Sequence, residues 1–177
     1  MDAEQAKWYR RRWMALVFLG VSLLVISLDT TVVNLALPSI SRELGATSSE
    51  LQWVVDAYIL VFASTLLTLG SIGDRIGRKK TLQIGLAGFF VFSLGGALSN
   101  SSGMLIGMRA LMGLAGSAMM PATLSIITAT FREPRERAQA IALWAAVFAL
   151  GSGIGPLVGG YLLEHFEWQS VFLINLP

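Results

Sequence analysis

Residues 138–163 read AQAIALWAAVFALGSGIGPLVGGYLL, a run of 26 positions without Asp, Glu, Lys or Arg. At about 1.5 Å per helical residue, such a run exceeds the roughly 30 Å of hydrocarbon in a bilayer. Residues 81–108 form a second uncharged stretch, 28 positions long. Of the 177 residues, 54% are apolar and 14% are charged, against about 25% charge in an ordinary soluble domain. A soluble chain this short has too much surface to hide that apolar share. The runs therefore read as membrane-spanning helices, the fold class as all-α transmembrane, and the lipid bilayer as the chain's solvent.

Working outward from this run, the sequence divides into five spans and the start of a sixth. The spans are expected over 13–37, 51–72, 81–98, 104–130 and 138–163, the first stopped by Pro38. Polar connections separate them: Ser99-Asn-Ser-Ser-Gly103 is a tight turn, and Glu164-His-Phe-Glu-Trp168 a short loop. A sixth apolar run, Ser170–Pro177, has eight residues, too few to cross, so the chain is expected to be an N-terminal fragment. Residues 1–12 are assigned to a cytoplasmic segment and 13–177 to one truncated transmembrane half-domain. The first apolar stretch is too long for a signal peptide and lacks a small-x-small cleavage site.

Orientation follows from the 13 Lys and Arg. Lys7, Arg10, Arg11 and Arg12 precede the first span; Arg75, Arg78, Lys79 and Lys80 lie between the second and third; Arg132, Arg135 and Arg137 lie between the fourth and fifth. All eleven share one face, while the opposite face has only Arg42. By the positive-inside rule the basic face and the N terminus are cytoplasmic, as expected of a multi-pass protein of the cell membrane. The net charge of +2 thus reflects topology, and no nucleic-acid partner is expected. With no cysteine, disulfides and thiolate metal sites are excluded. The lone His165 falls in an outer loop, and no nucleophile–base or metal-ligand spacing occurs, so the chain is not read as an enzyme and no metal or cofactor is expected.

Asp29, Asp56 and Arg109 interrupt apolar segments. Ionisable groups at membrane depth are costly and usually mark a pathway or a proton site. Helix rise puts Asp29 about 24 Å from the inner end of its span, and Asp56 and Arg109 each about 8 Å from the outer face. At similar depths, one cation between two carboxylates offsets their desolvation. Alternatives stand beside this reading. Asp56 can snorkel to the outer interface, and Arg109 can serve a structural ion pair or bond backbone carbonyls. Asp29, Thr30 and Asn34 share a helix face only loosely.

Between the second and third spans stands Gly70-Ser-Ile-Gly73-Asp74-Arg75-Ile-Gly77-Arg78-Lys79-Lys80. Its glycines permit a tight turn and close helix approach, and Asp74 can accept hydrogen bonds from the basic residues or a neighbouring helix N terminus. A basic cytoplasmic loop explains Arg78-Lys79-Lys80 but not the Gly-x-x-Gly-Asp-Arg-x-Gly order. That order resembles the signature loop of the major facilitator superfamily, Ile72 and Gly73 departing from its usual Leu-Ala.

Further segments agree. Leu28-Asp29-Thr30-Thr31-Val-Val-Asn34-Leu-Ala36-Leu37-Pro38 resembles the first-span motif of the fourteen-span drug:proton antiporters in that superfamily. Arg109-Ala-Leu-Met-Gly113-Leu-Ala-Gly116 is similar to the fourth-span motif that the family links to proton coupling. Gly151-Ser-Gly153-Ile-Gly155-Pro156-Leu-Val-Gly159-Gly160 resembles the fifth-span antiporter motif, in which small residues let helices approach and Pro156 bends the helix. Packing alone is the plainer account of those glycines. Trp168-Gln-Ser-Val-Phe172-Leu-Ile-Asn175-Leu-Pro177 partly matches the segment entering the sixth span, Gln169 and Ser170 departing from the pattern.

The resemblance covers Trp13 to Pro177 and implies the N-terminal six-helix half of a major-facilitator fold, whose two halves rock around a midplane site. It implies proton-coupled export of small hydrophobic or cationic compounds, with the proton as coupling ion and the C-terminal half of the transporter as the missing partner. Asp29, Asn34, Arg109 and Asp56 are its candidate proton-coupling or cavity residues. Gly70, Gly73, Asp74, Arg75, Gly77 and Arg78 form its gating loop, and Gly151, Gly155, Pro156, Gly159 and Gly160 shape the fifth helix. Uptake of a metabolite by the same fold, or a truncated non-transporting membrane protein, are the other readings.

Overall fold

The computed structural model describes residues 3–176, with side chains from Arg12 onward. Met1, Asp2 and Pro177, the last belonging to the sixth-span motif, lie outside the described residues, as do the side chains of Lys7, Arg10 and Arg11 that enter the orientation argument. The elements are α1 (Ala3–Leu44), α2 (Ser48–Ile76), α3 (Arg78–Ala97), α4 (Ser102–Thr130), α5 (Pro134–His165) and the short α6 (Ser170–Leu173). There is no strand among the described residues. The first five helices are each long and apolar enough to cross a membrane.

Each helix end has a local cause. α1 runs through Pro38 to Leu44, so the expected stop at Pro38 is corrected. A proline inside a helix forfeits one backbone bond; membrane helices tolerate that loss where the freed carbonyl finds another partner. The terminator is instead Gly45, whose φ of +62° lets the chain leave the helix without a Cβ clash. Thr47 and Glu50 then cap α2 reciprocally, Glu50 N donating to Thr47 Oγ1 at 3.3 Å and Thr47 N to Glu50 Oε2 at 2.8 Å. Ser101 caps α4 by accepting from Met104 N. Glu133 caps α5 by accepting from Arg135 N and Glu136 N, with Pro134 at the first turn where its missing N–H does no harm.

In the bundle α2 and α3 both lie along α4, and α1 lies along α5. The main apolar core gathers Val32, Val33 and Ile40 of α1, Val54 of α2, Phe89 of α3 and Met112 of α4, with Trp168 and Phe172 closing one end. A second cluster, Leu16, Leu19, Ile127, Phe131 and Ala140, closes the other. Trp168, placed by sequence in a polar loop, is buried, and its indole Nε1 donates to Glu43 Oε2 at 2.9 Å. α2 and α5 keep wide apolar faces exposed, with Leu67 85% and Leu157 76% accessible. Such faces suit lipid or another helical layer, not water.

Candidate functional site

At the centre of the bundle, Asp29 of α1 meets Arg109 of α4, both essentially without solvent exposure. Arg109 Nη1 lies 2.5 Å from Asp29 Oδ2. Arg109 Nε donates to the main-chain carbonyl of Val54 on α2 at 3.0 Å, and the guanidinium lies over the Tyr58 ring, 4.3 Å from its centroid. The cation therefore has three supports: a carboxylate, a carbonyl dipole and an aromatic face. Gly113, one turn beyond Arg109, makes this possible, because a Cβ there would overlap the Tyr58 carbonyl. Gly116 packs less tightly, with 3.2 Å left for a Cβ against the Tyr58 hydroxyl and 3.3 Å against the Phe62 ring. The Arg109-x-x-x-Gly113 spacing thus puts charge and close approach on one face of α4, both against α2.

The second carboxylate oxygen is also occupied. Asn175 Nδ2, in the segment after α6, donates to Asp29 Oδ1 at 3.0 Å and to Ser93 Oγ of α3 at 3.0 Å. Ser93 in turn donates to the Phe172 carbonyl at 2.8 Å. Two buried polar atoms beside the pair have no partner, Tyr58 Oη and Asn175 Oδ1.

Of the three intramembrane charges, Asp29 and Arg109 come together and Asp56 does not. Asp56 is half-buried on α2 and makes no ion pair among the described residues. One cation shared by two carboxylates is therefore not the arrangement. Depth along a helix carries no information about azimuth, and Asp56 and Val54 project from different sides of α2. Asn34 is exposed and donates to the Thr30 carbonyl of its own helix at 2.8 Å, away from Asp29. Tyr58, Ser93 and Asn175 are the site residues that pattern reading passed over. Only Asn175 left a trace, inside the partly matched motif before Pro177.

At the opposite end, Gly73 packs on Thr81, with 3.2 Å left for a Cβ, and Gly70 on Pro121, with 3.4 Å. Gly77 joins α2 to α3 with φ +103°. Asp74 accepts from Arg78 Nε at 3.3 Å, and Arg78 Nη1 donates to the Ser125 carbonyl of α4 at 3.0 Å. Arg78 therefore ties the loop to α4, while Arg75 points to the exterior. An open groove of about 490 Å³, lined by Leu67, Gly70, Asp74, Pro121, Leu124 and Trp144, runs beside the loop.

The glycines of α5 separate into two faces. Cβ atoms on Gly151, Gly155 and Gly159 would collide with α1, at Ser27, Thr31 and Leu35 respectively. Gly153 and Gly160 have nothing within 4 Å, and Pro156 is exposed. The i, i+4, i+8 set forms a close seam, which Ser27 reinforces by donating to the Phe148 carbonyl at 2.7 Å.

A family model described as Major Facilitator Superfamily matches residues 19–177. The chain is 46% identical, over 94% of its length, to the "Multidrug efflux pump LfrA" of Mycolicibacterium smegmatis, covering 33% of that protein. It is 44% identical over 94% of its length to the "Methyl viologen resistance protein SmvA" of Salmonella typhimurium, covering 34%. It is 37% identical over 94% to the "Tetracenomycin C resistance and export protein" of Streptomyces glaucescens, covering 31%. The chain thus spans about a third of the length of these relatives. The crystal structure of a bacterial homologue of the human lysosomal transporter Spinster superposes with a TM-score of 0.69, covering 93% of this chain and 39% of that one at 19% identity. That likeness concerns the fold alone.

Proposed function

The chain belongs to the major facilitator superfamily, and on that premise we propose that it serves proton-coupled export of small hydrophobic or cationic compounds across the cell membrane. The activity is that of the whole transporter, of which this chain supplies an N-terminal helical bundle with its N terminus in the cytoplasm. Relatives named for multidrug efflux, methyl viologen resistance and tetracenomycin export support the substrate class. The matched motifs support the fourteen-span antiporter branch.

The observation that carries this reading is the buried Asp29–Arg109 pair. A buried ion pair gains little stability over apolar packing, because desolvation consumes most of the Coulomb attraction. Its presence at membrane depth therefore argues for use. With Asp29 ionised the pair is neutral. When Asp29 takes a proton, the site becomes cationic, and Arg109 is still held by the Val54 carbonyl and the Tyr58 ring. A positive site repels a cationic substrate and a neutral one does not, so protonation and substrate binding oppose each other, as antiport requires.

Asp56 and Asn34 face outward from the pair and are assigned to the substrate cavity. The Asp74–Arg78 loop latches the cytoplasmic side in one state, and the Gly151/Gly155/Gly159 seam holds α5 against α1. In full-length protein reconstituted into vesicles, Asp29→Asn abolishes export driven by an imposed pH gradient. Unimpaired export by that variant overturns the assignment.

A further inference from the structure

Asn175 touches Asp29 on the side that Arg109 leaves open. Both amide hydrogens are used, one on Asp29 Oδ1 and one on Ser93 Oγ, while its own Oδ1 is buried without a partner. In either orientation one end of this buried amide is left without a partner, so what Asp29 and Ser93 offer decides which end faces them. A carboxylate only accepts hydrogen bonds, whereas a protonated carboxyl also donates. The amide has a donor end and an acceptor end of nearly equal shape. A half-turn about Cβ–Cγ exchanges them.

We propose that Asn175 is a positioning residue that reads the protonation of Asp29: its amide donates to the ionised carboxylate and turns over to accept from the protonated one. This rests on the reading of Asp29 as the proton-carrying group. A proton from hydronium binds Asp29 Oδ1, and no other covalent bond forms or breaks. Arg109 keeps its charge against Asp29 Oδ2, the Val54 carbonyl and the Tyr58 ring. After the turn, Asn175 Oδ1 accepts from Asp29 and from Ser93, whose hydroxyl leaves the Phe172 carbonyl, and Nδ2 takes the unpartnered position that Oδ1 held. The Phe172 carbonyl retains the Asn175 backbone N–H at 3.2 Å. Protonation on α1 is thereby passed to α3 and to the segment after α6. The titratable groups facing Asp29 are Arg109 from α4 and Tyr58 from α2. α3 contributes Ser93 to the network and the α6 segment Asn175, while Ser152 of α5 bonds Ser27 and the Phe148 carbonyl of its own helix.

Infrared difference spectra of the full-length protein in lipid, recorded between acid and alkaline pH, test this. Asp29→Asn assigns the protonated-carboxyl stretch, and Asn175→Leu or isotope-labelled asparagine assigns the amide stretch. The wild type is expected to change both bands with one shared midpoint. Asp29→Asn is expected to lose both changes, and Asn175→Leu to lose the amide change while shifting the carboxyl midpoint. A carboxyl band that titrates beside a still amide band overturns the proposal and leaves Asp29 as the proton carrier. If the carboxyl band does not titrate, the reading of Asp29 itself fails and this inference with it. The wild-type spectra decide the matter even if Asn175→Leu does not fold.

Discussion

Gly155 on α5 stands so close to Thr31 on α1 that any Cβ on the glycine would overlap the threonine Oγ1. One turn to either side, Gly151 against Ser27 at 2.8 Å and Gly159 against Leu35 at 2.9 Å extend the close line between the two helices. The seam separates glycines that pack from glycines that do not. Gly155→Ala should destabilise the bundle by about 1–3 kcal/mol, the usual cost of overpacking. Gly160→Ala, with open space around it, should stay within about 0.5 kcal/mol. Thermal unfolding in detergent measures both, and equal shifts for the two variants would show that the seam is not close-packed.

Arg109 and Asp29 should behave as a unit in a double-mutant cycle. Arg109→Leu leaves a buried carboxylate without its cation and should cost about 3–5 kcal/mol. Asp29→Asn combined with Arg109→Leu should cost less than the sum of the single changes, since contacting residues couple by about 0.5–3 kcal/mol. Arg109→Lys should not rescue, because an ammonium cannot reach Asp29 and the Val54 carbonyl with the guanidinium's fixed fork. Strict additivity in unfolding measurements would count against the pair as drawn.

The two turn glycines predict different tolerances. Gly45, at φ +62°, occupies the left-handed region, which asparagine visits at little cost. Gly77, at φ +103° and ψ 126°, lies where only glycine is comfortable. Gly77→Asn should therefore cost about 1–3 kcal/mol, and Gly45→Asn much less. Neither glycine has a neighbour within 4 Å, so the comparison isolates backbone strain. Chemical or thermal denaturation ranking Gly45→Asn as the worse variant would contradict it.

Asp74→Asn removes the carboxylate of an exposed ion pair with Arg78. Exposed pairs are worth at most about 1 kcal/mol, so unfolding should barely move. Export in vesicles should nevertheless fall if the loop latches one state of the transport cycle. Parallel losses of stability and export would reduce Asp74 to a structural role, and export at the wild-type rate would remove it from the mechanism.

The sequence made the helices legible because membrane burial is written along one dimension. A run such as 138–163 has no charge, must satisfy its backbone internally, and so must be helical. The signature-loop order and the Arg109-x-x-x-Gly113 spacing were legible for a related reason: both are local in the chain. Pro38 misled because proline's penalty is one bond, while the helix end was set by the backbone freedom of Gly45. Trp168 misled because its neighbours Glu164, His165 and Glu167 are polar and exposed, although its own ring fills the end of the core.

Asp29 and Arg109 could be singled out by sequence alone, since charge within an apolar run is conspicuous. Which partner each takes is decided by the rotation of α1, α2 and α4 about their axes, and a depth count contains no rotation. Only the packed bundle turns Asp29 toward Arg109, leaves Asp56 outside the pair, and brings Asn175 back across 146 positions of chain to the second carboxylate oxygen. The sequence determined the spans, the basic face and the family motifs, because hydropathy, charge placement and short spacings are properties of consecutive residues. The buried hydrogen-bond network was decided by tertiary structure, because its members lie on four helices and a terminal segment that only close packing aligns.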